Sequence, residues 1–304
     1  MNRTLEMSRV TSGDSSPQSL VINEAAQALR DGRLVAFPTE TVYGLGADAS
    51  NPSAIQKVFT TKGRPSNHPL IVHVAAPEQL NQRQIDWVPV IAPWARDIPE
   101  DALKLVNAFW PGPLTLVFKK DKHVLNEITG GQDTVAIRSP AHPIAQELLR
   151  IFQGGVVAPS ANRFGKVSPT SAADVRSEFE GDRDLLVIDG GDCQVGIEST
   201  IVDISNGDRA VLLRPGVITP KEILAKTGVL IYGAGELVDA YALPKSLPRV
   251  SGSLKAHYAP TTPLRLYAPG CILDALTEFP DTKSRVAVVV WDSESSLRND
   301  RHPS

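Results

Sequence analysis

Eight short apolar runs alternate with helix-length segments between residues 16 and 228, and that alternation leaves few folds open to the chain. The runs read RLVAF, PLIVHV, LTLVF, TVAIR, GVVAP, LLVID, STIVDI and AVLLR, each the length of a buried strand. Helical spacing lies between them. Val21, Ile22, Ala25, Ala26 and Leu29 recur on one face, and Gly32 stands where that helix would end. Further helices are expected over 53–61, 99–108, 142–152, 171–180 and 219–227. The last has Thr219 as N-cap, Pro220 at the first helical position and Glu222 at the third. Strands interleaved with helices predict an α/β domain over 16–228, and so many strands in that span predict one large sheet.

Outside this span the pattern changes. Residues 1–15 are polar, lack the apolar stretch of a secretory signal, and are expected to form a flexible leader. Residues 229–262 carry Gly, Pro and Ser punctuation with weak periodicity and read as a linker. From 263 to 304 a strand, a helix and the strand RVAVVVW open a second, partial α/β unit. A net charge of −3 supplies no global field to gather nucleic acid, so any anion site must be local. Cys193 and Cys271 match neither zinc nor redox spacing, which favours a reducing compartment. No apolar run approaches the ~20 residues that span a bilayer, and a cytoplasmic location is expected.

Familiar cofactor signatures are absent from the sequence: no G-x-G-x-x-G, no G-x-x-x-x-G-K-[ST], no H-E-x-x-H and no G-x-S-x-G. The six histidines show no ligand spacing, so no protein metal site is expected. What stands out is a set of strand ends: KGRP (62–65), VAIRSP (135–140), VVAPSAN (156–162) and VLLRPG (211–216). Proline stops each strand and presents the residue before it on a loop, the place where open α/β sheets bind ligands. Arg64, Arg138 and Arg214 would converge if those ends are neighbours, and converged guanidinium forks suit carboxylates and phosphates. Singly, each arginine could equally solvate its strand end. Ser160, Asn162 and Ser168 lie on a loop leading into the helix at 171, where backbone N–H groups favour an anion or an ordinary N-cap forms. GIEST (196–200) is a third polar cluster, and His73 sits inside an apolar strand, where a satisfied core histidine is the commoner outcome.

Together these stretches resemble one family. FPTETVYGLG, KGRPSNHPLIVHV, FWPGPLTLVFKK, TVAIRSPAHPIA, APSANRFGKVSPT, GIESTIVD and LLRPG occur in the order found in YrdC-like threonylcarbamoyl-AMP synthases, over about residues 18–226. LKAHYAPTTPL resembles the linker of the longer family form. The resemblance implies a twisted, open, mixed α/β sheet with a positively lined cavity. It implies synthesis of threonylcarbamoyl-AMP from L-threonine, bicarbonate or CO2, and ATP with Mg²⁺, releasing pyrophosphate. A separate complex would then carry the product to the tRNA adenosine beside the anticodon. By motif, Lys62, Arg64, Ser160 and Asn162 fill the K-x-R and S-x-N signature. Arg64, His68, Thr134, Ser160, Ser168, Arg214 and Tyr258 fall where relatives contact ATP. Thr41, His73, Arg138, Ala158 and Ser199 fall where they contact threonine.

Two other readings share some of these features. A carbamoyl-phosphate-using carbamoyltransferase of the same fold would add Cys-rich zinc motifs, and this chain has no C-x-x-C. A double-stranded RNA-binding module would need cations in a surface stripe, against the net charge of −3.

Overall fold

In a computed structural model of the chain, the described residues are 4–5, 17–78, 85–182, 184–207, 209–233 and 247–252. The chain divides into two units, Met1–Ala259 and Pro260–Ser304, and every described residue belongs to the first. Tyr258 and the unit expected over 263–304 lie outside the described residues.

The expected elements form. Helix α1 (Pro17–Arg30) ends at Gly32, whose φ of 69° needs no Cβ to be avoided. Strands β2 (Val35–Phe37), β4 (Ile71–His73), β5 (Leu114–Lys119), β6 (Thr134–Arg138), β8 (Leu186–Ile188), β9 (Thr200–Asp203) and β10 (Ala210–Arg214) occupy the apolar runs. Helices α2 (Pro52–Lys62), α4 (Glu100–Phe109), α6 (Pro143–Phe152), α7 (Ala172–Glu178) and α8 (Pro220–Thr227) fill the gaps, with short turns α3 (Val88–Ile91) and α5 (Asn126–Thr129). Thr219 caps α8 through the Glu222 N–H at 3.2 Å.

Four details depart from the sequence reading. GVVAP supplies only a two-residue strand, β7 (Val156–Val157), yet it bridges two neighbours. Gly44–Asp48 forms an unforeseen strand, β3, although glycine is poor in strands. Close packing explains it: a Cβ on Gly46 would lie 2.8 Å from the Phe37 ring. The expected leader includes β1 (Thr4–Leu5), which pairs in parallel with Val187 and Ile188 and covers an edge of β8. The expected linker begins with β11 (Ile231–Tyr232), parallel to Ala210 and Val211, a pair too short to register as a period.

Among the described residues the sheet runs β1-β8-β2-β3-β7-β4-β6-β5-β9-β10-β11, open and mixed in direction. Alternation along each strand sorts side chains to two faces. One face carries the largest apolar cluster, including Val72, Leu116 and Ile137 with Val58, Leu105 and Ile223 from helices. On the other face α1 and α6 pack over Val35, Phe37, Val156 and Leu186. Among the described residues that cover stops midway: Ile71, Val117, Ala136 and Ile201 form a small cluster with Val250 and Leu213 and with no helical residue. This half of the face is the floor of the site.

Candidate active site

His73 and Arg138 are registered partners at the ends of parallel strands β4 and β6, so their side chains leave the same face as Ile71 and Ala136. Ser199 precedes β9 on that face, and Arg214 ends β10. These ends meet in a pocket of about 420 Å³, mouth included, which also takes in Thr41, Ala158 and Ser160. The structure therefore brings together half of the residues singled out from the sequence; Lys62, Arg64, His68, Thr134, Asn162 and Ser168 do not line this pocket. It adds Thr39, Glu198 and Ser251, which were not singled out.

Arg138 is 4% exposed and already held. Its Nη2 donates to Glu40 Oε1 at 2.7 Å, Nη1 to Thr41 Oγ1 at 2.9 Å, and Nε to the Gly112 carbonyl at 3.3 Å. Glu40 is fixed in turn, because Oε2 accepts the Ala141 N–H at 3.0 Å. A guanidinium has five N–H donors, so Arg138 keeps one on each terminal nitrogen uncommitted among the described residues. Gly112 must be glycine here: a Cβ would lie 2.2 Å from the Phe109 carbonyl oxygen.

Arg214 is more fully engaged. Nε and Nη2 donate to the Ser199 carbonyl and hydroxyl, each at 3.0 Å. Both Nη1 hydrogens are committed, one to Glu198 Oε2 and one to the Ser251 carbonyl at 2.9 Å. The other Glu198 oxygen accepts from Ser168 Oγ at 3.1 Å. Gly216 backs this end, where a Cβ would sit 2.4 Å from the Thr200 nitrogen and 2.8 Å from the Glu198 carbonyl oxygen.

Between the arginines, Ser199 Oγ and Thr115 Oγ1 share a 2.8 Å bond. Arg64 follows Gly63, whose left-handed φ of 62° ends α2. Its Nη2 donates to the Pro69 carbonyl at 2.9 Å and Nη1 to Ser251 Oγ at 3.4 Å, so Ser251 touches two of the three arginines. Lys62 points elsewhere. Its ammonium donates to the Ser160 carbonyl at 2.5 Å and to the Asn162 carbonyl, behind the pocket wall. It ties the end of α2 to the S-x-N turn and does not line the pocket. Burial first, and then the Arg64 charge, pull its pKa down to about 7. Burial, reinforced by Arg138, likewise pulls His73 down to about 3, so this imidazole is neutral at physiological pH.

Asn162 donates to the carbonyls of Arg163 and Lys166 and shapes the same turn. His68 stacks edge-on against Phe164, with 5.4 Å between ring centroids. Thr134 lies in an adjoining pocket of about 280 Å³ with Gln132, Ala136, Arg249 and Val250. The N-terminus of α7 is closed by its own capping box, Ser171 with Asp174, which leaves Ser168 to face Glu198.

Fold and site define an α/β protein with an arginine-lined pocket at converged strand ends. The chain belongs to the Sua5–YciO–YrdC family: the family model described as "Telomere recombination" matches residues 27–216. It is 45% identical over 79% of its length to the threonylcarbamoyl-AMP synthase of Pyrococcus abyssi, of which it spans 66%. To the Bacillus subtilis threonylcarbamoyl-AMP synthase it is 40% identical, over 91% of this chain and 75% of that one. The crystal structure of Pyrococcus abyssi Sua5 complexed with L-threonine superposes with a TM-score of 0.67 at 44% identity, covering 80% of this chain and 66% of that one.

Proposed function

We propose that the chain is a threonylcarbamoyl-AMP synthase, joining L-threonine, bicarbonate or CO2, and ATP into threonylcarbamoyl-AMP with release of pyrophosphate. Family membership supports the reaction class. The observation that carries the reading is Arg138, buried at a strand end with two N–H groups uncommitted among the described residues. That is the pairing a carboxylate can accept in parallel. In this reading Arg138 holds the threonine carboxylate, while neutral His73 and the Thr41 and Ser199 hydroxyls face the rest of the amino acid. The threonine nitrogen, once carboxylated, presents a carbamate oxygen to the α-phosphorus of ATP. The P–O bond to pyrophosphate breaks as the new P–O bond forms.

Among the described residues no serine or cysteine is hydrogen-bonded to His73, whose Nδ1 meets the Ile71 carbonyl at 3.2 Å, so positioning and charge stabilisation supply the acceleration in this reading. Arg64 and Arg214 offset charge on the triphosphate, and Lys62 acts from behind by holding the Ser160–Asn162 turn. Among the described residues no three His, Cys, Asp or Glu side chains cluster. Mg²⁺ enters on the triphosphate as part of the substrate. The reactive anhydride product would pass to a separate tRNA-modifying transferase. Buried cations are ill placed for an RNA surface, with Arg64, Arg138 and Arg214 between 4% and 6% exposed. Among the described residues no helix is long and apolar enough to cross a membrane.

The test is pyrophosphate release from ATP. It should require both threonine and bicarbonate, and release that ignores threonine would overturn the reading.

A further inference from the structure

We propose that the Glu198 carboxylate occupies the place of a phosphate beside Arg214 and Ser168, and leaves both when the phosphate of a nucleotide arrives. The inference rests on the reading that this pocket takes ATP. It starts from donor counting. Arg214 has four of its five N–H groups committed among the described residues, including both on Nη1. With those contacts in place it can offer a phosphate one hydrogen bond and no parallel pair. A two-pronged grip on phosphate therefore requires that Nη1 be released.

Glu198 is the group built to release it. Among the described residues lining the pocket it is the one carboxylate. Its two oxygens accept from Arg214 and from the Ser168 hydroxyl, one planar cation and one short donor, as two phosphate oxygens would. Neither contact is locked: the hydroxyl rotates, and the glutamate side chain has three torsions. If Glu198 stayed, a phosphate beside it would meet a like charge in a site of low exposure, where repulsion is poorly screened. Exchange of one anion for another keeps Arg214 compensated throughout. An empty arginine site would instead leave a nearly buried cation without a partner, since its side chain is 8% exposed.

A placeholder makes an unusual prediction, because its removal strengthens binding. The apparent affinity of a site is lowered by the fraction of time an internal competitor holds it. Calorimetric titration of ATP, and separately of inorganic pyrophosphate, would compare the full chain with its Glu198→Gln and Glu198→Ala variants, each with Mg²⁺ and with a chelator. Both variants should bind both anions about tenfold more tightly under both conditions, with an unchanged cooperative thermal unfolding transition as the check on folding. Equal affinity would mean that Glu198 never leaves, and weaker binding that it positions Arg214; either overturns the proposal. Weakening confined to Mg²⁺ would make Glu198 a cation ligand and overturn it too. If the unaltered chain binds threonine but neither ATP nor pyrophosphate, the functional reading fails first and takes this one with it.

Discussion

On the β6 side of the pocket, Glu40 ties one oxygen to Arg138 and the other to a main-chain N–H that cannot turn away. On the β10 side, Glu198 ties one oxygen to Arg214 and the other to a hydroxyl that can. Glu40 does not line the pocket and Glu198 does. The first pair is a brace that aims an arginine and leaves two donors ready. The second leaves its arginine a single uncommitted donor among the described residues. One site thus uses the same two residue types in opposite ways, according to what holds the carboxylate's far oxygen.

The largest effect should come from breaking the brace at its centre. Arg138→Ala strands the Glu40 carboxylate in a buried position, which costs about 3–5 kcal/mol of stability. Threonine binding should vanish in the same variant while ATP binding survives, as titration of each ligand would show. Retained threonine affinity would remove Arg138 from that end.

A smaller effect separates the two ends by pH. His73 neighbours the brace, and its folded pKa of about 3 lies below the unfolded value near 6.5. The unfolded chain therefore binds the proton first as pH falls. Stability linked to this group is complete above about pH 6.5 and declines toward pH 3, by about 1.4 kcal/mol per unit. Between pH 7 and pH 5, His73→Gln should lose about 2 kcal/mol less than the unaltered chain in denaturant titrations. Parallel losses in both proteins would show that His73 is not the group responsible.

The smallest effect is the most diagnostic. Glu40→Gln keeps the shape of the brace but weakens a charge-assisted bond, and threonine affinity should fall about tenfold with ATP affinity unchanged. The sign is opposite to that expected for the same substitution at Glu198. Matching signs at the two positions would erase the distinction between brace and placeholder.

Much of this was legible before any coordinates. Apolar runs ending in Arg-Ser-Pro and Arg-Pro-Gly mark strands that stop and expose a cation, and both arginines do line the pocket. The carboxylates were harder to see. Glu40 lies 98 residues from Arg138, and nothing local signals that the two are buried together. The available sign was position: each glutamate immediately precedes a site hydroxyl, Thr41 in FPTETVYGLG or Ser199 in GIEST. Lys62 was legible as a cation but not in its direction, which its place on the buried side of the last turn of α2 sets. Strand β3 was missed because Gly44 and Gly46 are there for close packing, which intrinsic propensity does not report. Ser251 escaped notice because a serine between a buried valine and a glycine has no period to betray it.

Gly112 and Gly216 set how this pocket can tolerate inherited change. Neither carries a side chain that could meet a substrate, so a survey of contacting groups would pass over both. Yet a single methyl at either position drives into main chain, at 2.2 Å from Phe109 or 2.4 Å from Thr200. The displaced backbone is the one whose carbonyl receives Arg138 Nε, or the one that leads from Glu198 into β9. Alanine alleles at these two positions would therefore behave as nulls although they alter no group that touches the chemistry.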